Sequence, residues 1–450
     1  MKYTDRVKTQ LNLLKSKYAG MLPSEIGLDG KVYNGEREKR FKRVYRNIDA
    51  PGGSTYYWDQ SLFSVAYMLG GEYAAFADNA FQEFLSKCLA ENGMFLWGNH
   101  YYYHEEKHCV VKFIGEEDPV RCERSENGNM HELRPLMPNL DIFWKNDREV
   151  TERYLRNLLH MHMVSTETGE FNRHADEKTG YAFLESGGIL AEIACWLYKK
   201  TGDEALLDLA QKITTFSYGF RNEKTGLIEN CPTMKRWDKY YATTETAHWA
   251  VSLLHCFSLT GQENFYHIAE SAVSSYIKYG YDKESRKIYG CIRVTDGKPY
   301  EEKERETIYM PDKYSSPWQS YFPTHDYLFS LAEACILLWK YNKKPVFLFI
   351  AKEIAAQVRN EYRQKTFADN YGRAIQLMCD LYQAVEEESY LVFAKEIADF
   401  ALKVLSGGVI LKGHPDKVSC AAVDGVGILM EGLLILDNLL DGSRKGSEEI

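Results

Sequence analysis

The sequence lacks several features that would assign it to a common class of protein. Its 450 residues contain no apolar run of the roughly 20 residues that a membrane-spanning helix needs. The first residues, Met1 to Arg6, lack the apolar core of a signal peptide. The formal net charge is −9 and is spread along the chain, which disfavours nucleic acids and anionic membranes as partners. We therefore expect a soluble protein that binds neither.

Motifs for common cofactors and nucleophiles are also missing. The sequence has no GxGxxG or Walker-type loop for a nucleotide and no GxSxG elbow for a serine nucleophile. It has no HExxH motif and no zinc-type Cys/His spacing, and His160 and His162 diverge on a predicted helix. We therefore predict that the protein uses no metal and no cofactor.

Cysteine usage gives an expectation about the cellular compartment. The 10 cysteines form no CxxC pair, and Cys195, Cys256, Cys335 and Cys379 fall inside apolar helical stretches. Such cysteines usually behave as small buried hydrophobic residues in a reducing compartment. We therefore expect a cytoplasmic protein. A protein from which a signal peptide has been removed is the alternative.

The main positive feature is a repeated helical pattern. A short polar turn leads into an alanine-centred amphipathic helix, as after Gly71, Gly202 and Gly261. A loop then leads into a more apolar helix with aromatic and acidic residues in its first turn. The pattern recurs at irregular periods of about 40–80 residues. It predicts helical hairpins in a closed ring, because each hairpin needs neighbours to bury its apolar face.

The predicted architecture is a single all-α domain over residues 1–440, followed by a charged, disordered tail at 441–450. Six inner helices are clear, which predicts an (α/α)6 toroid. The segment 138–145 could add a short seventh inner helix and make it (α/α)7. Short strands are predicted around 94–113, and a β-hairpin with an Asp296-Gly297 turn is predicted within 283–315. Both insertions precede inner helices, so they should wall the end of the ring at which the inner helices start, which we call the bowl.

The hairpin repeat and inner-helix starts such as Tyr57-Trp58-Asp59 resemble the six-hairpin glycosidase superfamily. The resemblance extends over nearly the whole chain. The (α/α)6 toroids of this superfamily include many glycoside hydrolases, several polysaccharide lyases and some sugar epimerases. The resemblance implies a carbohydrate as the small-molecule partner. The catalytic signatures of unsaturated-uronyl hydrolases, terpenoid toroids and lanthionine cyclases are missing, so it does not select one reaction.

Acidic residues at the inner-helix starts are the first candidates for catalysis. Acids are favoured there in any case, because they cap the helix and complement its dipole. Their aromatic and histidine neighbours are what favour a sugar site. The six acids are Asp59, Glu185, Glu245, Asp326, Asp369 and Asp424.

Two loops interrupt the repeat and are sharper candidates. The segment His131-Glu132-Leu133-Arg134 combines an imidazole, a carboxylate and a guanidinium within four residues. The segment Asn172-Arg173-His174 leads towards Glu185 and Gly187-Gly188, where glycines in a helix start predict close approach by a neighbouring helix or a ligand. Arg134 and Arg173 could each bind a carboxylate through two hydrogen bonds, and the alternative is a structural salt bridge.

The leading hypothesis is a glycoside hydrolase acting on an oligosaccharide, which would contain a uronic acid if the arginines bind substrate. This chemistry needs an acid and a second carboxylate about 5 Å away for retention, or about 6.5–9.5 Å away for inversion. The leading pair is Glu132 and Glu185, with Asp59, Asp141 and Glu245 as substitutes. The predicted substrate-binding residues are Trp58, Trp97, His100, Tyr101, His131, Arg134, Arg173, His174, His248, Trp249, His325 and Asp326.

Three other functions remain open on the same fold. A lyase would use His131, His248 or Tyr102 as the base and Arg134 to neutralise a uronate. An epimerase or isomerase would place two histidines on opposite sides of a sugar ring. A glycan-binding toroid would keep binding after Glu132 and Glu185 are changed to glutamine. A homo-oligomer is compatible with the sequence.

Overall fold

The structure is a computed structural model that describes residues 2–20, 22–23, 25–31, 33, 61–89, 93, 101–104, 109–112, 139–173, 182–233, 239–301, 312–318, 327–421 and 424–448. Within these residues, helices alternate between an inner and an outer ring. The inner helices are α2 (Ser61–Leu69), α4 (Leu140–Asn146), α6 (Leu184–Thr201), α8 (Glu245–Thr260), α10 (Tyr327–Asn342), α12 (Ala368–Val385) and α14 (Val426–Glu448). The outer helices are α1 (Tyr3–Lys17), α3 (Gly71–Cys88), α5 (Arg148–His162), α7 (Glu204–Tyr218), α9 (Glu263–Gly280), α11 (Pro345–Glu361) and α13 (Glu388–Val404).

Burial distinguishes the two rings. In inner helix α6 every residue from Leu184 to Leu197 is buried, as expected for a helix surrounded by other helices. Outer helix α7 buries only one stripe, which includes Leu206, Ala210 and Ile213. The inner helices pack side by side, α6 on α8, α8 on α10, α10 on α12 and α12 on α14. The predicted all-α toroid of helical hairpins is therefore confirmed.

The ring closes through the two ends of the chain. The last helix, α14, packs on both α2 and α1. The backbone N–H and the hydroxyl of Thr4 both donate to Asp437 Oδ2, at 2.7 and 2.8 Å. Strand β1 (Glu25–Gly27) pairs antiparallel with β12 (Ser419–Ala421). The toroid is therefore completed by contacts between residues near the two ends of the sequence.

The short helix α4 lies in the segment 138–145, for which the sequence left a short seventh inner helix open. Phe143 stacks on Phe81 of α3 with a centroid distance of 4.5 Å, and Trp144 meets Trp196 of α6 edge-on at 5.4 Å. These contacts place α4 between the first hairpin and α6. Because Trp196 lies in the second half of α6, α4 fills only the part of the ring that is remote from the inner-helix starts.

Short antiparallel strands decorate the ring. The pairs are β2 (Tyr101–His104) with β3 (Cys109–Lys112), β4 (Met163–Ser165) with β5 (Glu170–Phe171), β6 (Tyr241–Thr243) with β9 (Cys291–Arg293), β7 (Tyr281–Asp282) with β8 (Lys287–Ile288), and β10 (Ser406–Gly407) with β11 (Ile410–Leu411). The predicted Asp296-Gly297 turn is confirmed. Gly297 has a φ of 73°, and the backbone N–H of Arg293 donates to the Lys298 carbonyl across the turn.

The carboxyl end of the chain differs from the prediction. Helix α14 continues through Glu448, so the residues after 440 extend the last helix instead of leaving it. Gly442 and Gly446 lie within this helix without ending it, and Lys and Arg are good helix formers. Among the described helices, none is both long enough and apolar enough to cross a membrane.

Glycines allow the inner helices to approach closely. A Cβ atom on Gly188 would lie 3.1 Å from the Cα of Trp249 in α8, which confirms the close approach that the sequence predicted. A Cβ on Gly372 of α12 would lie 2.6 Å from the backbone of Ile428 in α14. Because backbone cannot move aside as a flexible side chain can, the contact at Gly372 requires a residue without a side chain, and a side chain at Gly188 would push α8 away by a few tenths of an ångström.

We expect Gly372→Ala to destabilise the toroid by about 1–3 kcal/mol, because the added methyl group would push α12 and α14 apart. Gly442→Ala is the matched control, since no atom outside its own helix lies within 4 Å of the point that an added Cβ would occupy. The control should be neutral or stabilising, because alanine favours helix. Urea unfolding of both variants measures the difference, and equal stabilities would show that the helices can separate at no cost.

Candidate active site

The starts of α6 and α8 lie side by side and bring two acids together. Glu185 occupies the first turn of α6 and Glu245 is the first residue of α8. Their exposed fractions are 2% and 4%, so both carboxyl groups are enclosed by protein. Strand β6 runs directly into α8 and thereby fixes the position at which Glu245 enters the ring.

The two carboxyl groups form a hydrogen bond to each other. Because a carboxylate can only accept, one of the two must carry a proton. Burial, reinforced by the negative charge of Glu185, raises the pKa of Glu245 well above its usual range, while Asn230 and the charge of Arg173 act in the opposite direction.

Asn230 connects the two helix starts. Its side chain forms a hydrogen bond to Glu245 and accepts one at 3.0 Å from the hydroxyl of Thr243. That hydroxyl oxygen in turn accepts a bond at 3.2 Å from the backbone N–H of Glu245. The Asn230 carbonyl accepts from the N–H of Leu184 at 3.0 Å. One asparagine therefore holds the first residues of α6 and α8 in a fixed relation.

Arg173 supplies positive charge beside the acid pair. Its guanidinium lies over the ring of Phe183, 4.7 Å from the centroid, in a cation–π contact directly before α6. The neighbouring Asn172 is anchored to the end of α5, because its N–H donates to the His162 carbonyl at 2.8 Å. Arg173 is therefore held beside the start of α6, where its charge acts on Glu245.

One helical turn after Glu245, two further predicted residues lie in the interior. His248 is 2% exposed, and its Nδ1 lies 2.9 Å from the hydroxyl of Ser330 on α10. Trp249 is completely buried in the core. The expected sugar-stacking role of Trp249 does not fit this position, because both faces of its ring are covered by protein. A residue that stacks on a sugar must face the bowl, whereas Trp249 is packed in the interior of the protein.

Asp141 lies far from Glu185 and does not fit a catalytic role with it. Its carboxylate pairs with Lys200 at 2.6 Å, and its side chain is 70% exposed. Lys200 belongs to the last turn of α6, about 22 Å along the helix from Glu185 at 1.5 Å per residue. Because this exceeds even the separation in inverting glycosidases, Asp141 does not belong to the bowl.

Two more acids at inner-helix starts are paired with basic side chains. Asp369, in the first turn of α12, accepts a hydrogen bond from Arg373 Nε at 2.9 Å. Asp424, directly before α14, is held by Lys417 Nζ at 2.7 and 2.8 Å from its two oxygens. Both acids are fully buried, so these cations offset the cost of burying their charge.

Many predicted site residues lie outside the described part of the chain. Glu132, the first choice as partner of Glu185, is among them, so that pair remains a prediction. The others are Trp58, Asp59, Trp97, His100, His131, Arg134, His174, His325 and Asp326, together with the side chains of Tyr101 and Tyr102 in β2. Among the described residues, no group of three or more histidine, cysteine, aspartate or glutamate side chains is arranged to hold a metal ion.

Sequence reasoning missed Asn230 and Thr243 as parts of the site. Neither residue belongs to a known motif, and asparagine and threonine are common in loops and strand ends. The one signal in the sequence was position, since Thr243 lies two residues before Glu245 at a helix start where side-chain hydroxyls commonly bond the backbone.

Comparison with known proteins supports the fold and points to carbohydrate chemistry. A family model described as periplasmic pectate lyase matches residues 61–183. A GH76 α-mannanase of Bacteroides thetaiotaomicron has a similar structure, with a TM-score of 0.52, 12% identity and coverage of 99% of this chain and 98% of that chain. A D-mannose isomerase has a TM-score of 0.51 at 11% identity, with coverage of 97% of both chains. At these identities the structural likeness shows the fold alone, that of the six-hairpin (α/α)6 toroids.

The expectation of a cytoplasmic location is wrong, because the family whose model matches is described as periplasmic. The predicted burial of the cysteines is nevertheless confirmed for Cys195, Cys256, Cys335 and Cys379. Thiols enclosed in a core are protected from oxidants in any compartment, so their burial carries no information about location.

The acid pair predicts a specific dependence of stability on pH. Because the folded-state pKa of Glu245 is raised, its contribution to stability is complete below the ordinary glutamate pKa and is lost as the pH rises through the folded value. We expect the Tm of the wild-type protein to fall over that range and the Tm of Glu245→Gln to fall less. Thermal unfolding across pH measures this, with Glu223→Gln, an exposed turn residue, as control. Identical slopes in wild type and Glu245→Gln would contradict a shared proton.

Proposed function

We propose that the protein is a polysaccharide lyase that cleaves a uronate-containing chain such as pectate by β-elimination. The observation that carries this proposal is Arg173, held over Phe183 beside the buried acids. Arg173 lies within residues 61–183, the stretch that matches the model described as periplasmic pectate lyase. A guanidinium at the bowl is the group that a uronate carboxylate would bind through two hydrogen bonds.

The reaction needs little more than a base and a positively charged group. A base removes the proton from C5, which is adjacent to the carboxylate, and negative charge develops on the carboxylate oxygens. A fixed guanidinium stabilises that charge as it forms. The electron pair then forms the C4–C5 double bond, and the C4–O bond breaks with a proton delivered to the leaving oxygen. In this proposal Arg173 neutralises the carboxylate, and the base is a histidine or tyrosine among His131, His248 and Tyr102.

The contact between the described acids argues against Glu185 and Glu245 as the two catalytic carboxyl groups of a hydrolase. The carboxyl groups of Glu185 and Glu245 are directly hydrogen-bonded. Glycosidases hold their carboxyl groups about 5 Å or about 6.5–9.5 Å apart, to admit the sugar or a water molecule. A hydrogen-bonded pair leaves room for neither. A hydrolase built on Glu132 and Glu185 is the second candidate, because the mannanase shows that this fold is compatible with glycoside hydrolysis.

A single assay separates these functions. The protein is incubated with polygalacturonate, and ultraviolet absorbance and reducing ends are followed together. A lyase produces one absorbing unsaturated end for each new reducing end. New reducing ends without absorbance would replace the lyase by a hydrolase. A change in sugar configuration at constant chain length would indicate an epimerase, and binding without turnover would indicate a glycan-binding protein.

We expect Arg173→Ala to lower kcat/KM for polygalacturonate by on the order of 10²–10³, the usual effect of losing one stabilising donor. Arg173→Lys should fall between this variant and wild type, because it keeps the charge and loses the planar fork. Arg221→Ala is the matched control, since Arg221 makes a similar cation–π contact, 4.4 Å from the Tyr218 centroid, on an exposed turn. Equal activities of Arg173→Ala and the control would remove Arg173 from the mechanism.

A further inference from the structure

A second polar cleft lies on the outer rim of the toroid, with a volume of about 580 Å³. Its walls are residues 312–316, the last two turns of α11 and Lys287 at the β7–β8 hairpin. Outer helices run antiparallel to the inner ones, so the end of α11 is at the same end of the ring as the bowl. The volume lies within the range of small-molecule sites, about 300–1,000 Å³.

Aromatic and backbone contacts build the cleft. The ring of Tyr314 stacks on Tyr289 with centroids 5.0 Å apart and planes at 15°. The hydroxyl of Tyr314 donates to Asp282 Oδ2 at 2.6 Å. The backbone N–H of Ser315 donates to the Ile288 carbonyl at 2.8 Å. Residues 312–316 are therefore fixed against the β7–β8 hairpin and form a permanent wall.

The same segment connects the cleft to the inner ring. Asn370, in the first turn of α12, donates from Nδ2 to the Pro317 carbonyl at 2.9 Å. The ring of Trp318 lies 5.7 Å from that of Tyr371. The chain thus passes from the cleft wall to the start of an inner helix within a few residues. The cleft wall therefore contacts the start of an inner helix, at the end of the ring where the bowl lies.

The lining combines groups that suit an acidic sugar. Lys287 and Glu361 form a loose pair at 3.5 Å, with side chains 40% and 28% exposed. The amide of Gln357 is largely buried and lies 3.5 Å from the Ser315 carbonyl. Lys313 adds a second cation. Ammonium groups can bind a carboxylate, while amides and acidic oxygens bind hydroxyl groups.

We propose that this cleft is a distal subsite for a polyuronate chain whose reacting bond lies in the bowl. The inference rests on the proposed lyase function for the identity of the chain. An anion without hydroxyl groups to offer, such as inorganic phosphate, would be attracted by the lysines but repelled by Glu361 and Asp312. A uronate chain carries hydroxyl groups for the acids and carboxylates for the lysines, so it matches the whole lining.

The test is a double variant, Lys287→Gln with Lys313→Gln, assayed on polygalacturonate and on trigalacturonate. We expect KM for the polymer to rise on the order of tenfold with kcat unchanged, because the lost contacts bind the chain away from the reacting bond. Activity on the trimer should change much less, since a short substrate makes fewer contacts away from the reacting bond. Lys224→Gln with Lys298→Gln is the matched control, because it removes the same charge from exposed positions outside the cleft.

The outcomes separate this inference from the proposed function. A polymer KM equal to that of the control variant, or an equal loss on polymer and trimer, would overturn the distal subsite. Equilibrium binding of polygalacturonate to the wild-type protein and the double variant provides a readout without turnover. If the wild-type protein forms no unsaturated product but binds the polymer in a manner that depends on these lysines, the lyase fails and the subsite stands.

Discussion

The close contact between neighbouring inner helices is the constraint on which the rest of the structure depends. Gly188 faces the backbone of α8 and Gly372 faces the backbone of α14, so these helix pairs touch without intervening side chains. At such short separations, the first turns of α6 and α8 bring Glu185 and Glu245 into hydrogen-bond contact. Wider spacing would leave two separate buried charges, which are far more costly than a pair that shares one proton.

Burial of acids at the inner-helix starts then dictates their surroundings. Asp424 is accompanied by Lys417 and Asp369 by Arg373, while the Glu185–Glu245 pair is accompanied by Arg173 and a proton. Arg173 beside the Glu185–Glu245 pair and Lys417 beside Asp424 each lie over an aromatic ring that directly precedes an inner helix, Phe183 and Phe367 respectively. A substrate carboxylate that approached the Arg173 guanidinium would meet less repulsion from the neighbouring acids, because the raised pKa of Glu245 reduces their negative charge.

The architecture is predictable because the periodic spacing of apolar residues along short segments indicates each helix. The alternation of amphipathic and apolar helices, the Asp296-Gly297 turn and the need for glycine at position 188 each follow from a few adjacent residues. The site is only partly predictable, because it depends on residues that are distant in sequence. The sequence offers Glu245 only as a substitute for Glu132, and it gives no sign of Asn230, since nothing local indicates that a loop residue bonds two helix starts.

The predictions for Trp249 and Asp141 are wrong for a related physical reason. Trp249 and Asp141 lie near helix starts, but a helix turns about 100° per residue and Trp249 faces the interior. The short helix α4 begins level with the end of α6, which places Asp141 beside Lys200.

The closure of the ring by α1 and α14 has a consequence for the order of events during synthesis. Thr4 finds its partner Asp437 only after nearly the whole chain has been made. Until then, α1 can contact α3, where the Tyr73 hydroxyl donates to Asn12 at 3.0 Å, but it has no α14 to pack on, and the growing chain is an open arc with an exposed edge. Contacts of such long separation are slow to form, and exposed apolar edges favour aggregation. Closure of this toroid is therefore a late, post-translational step, and the nascent arc is the form that needs protection until the two ends meet.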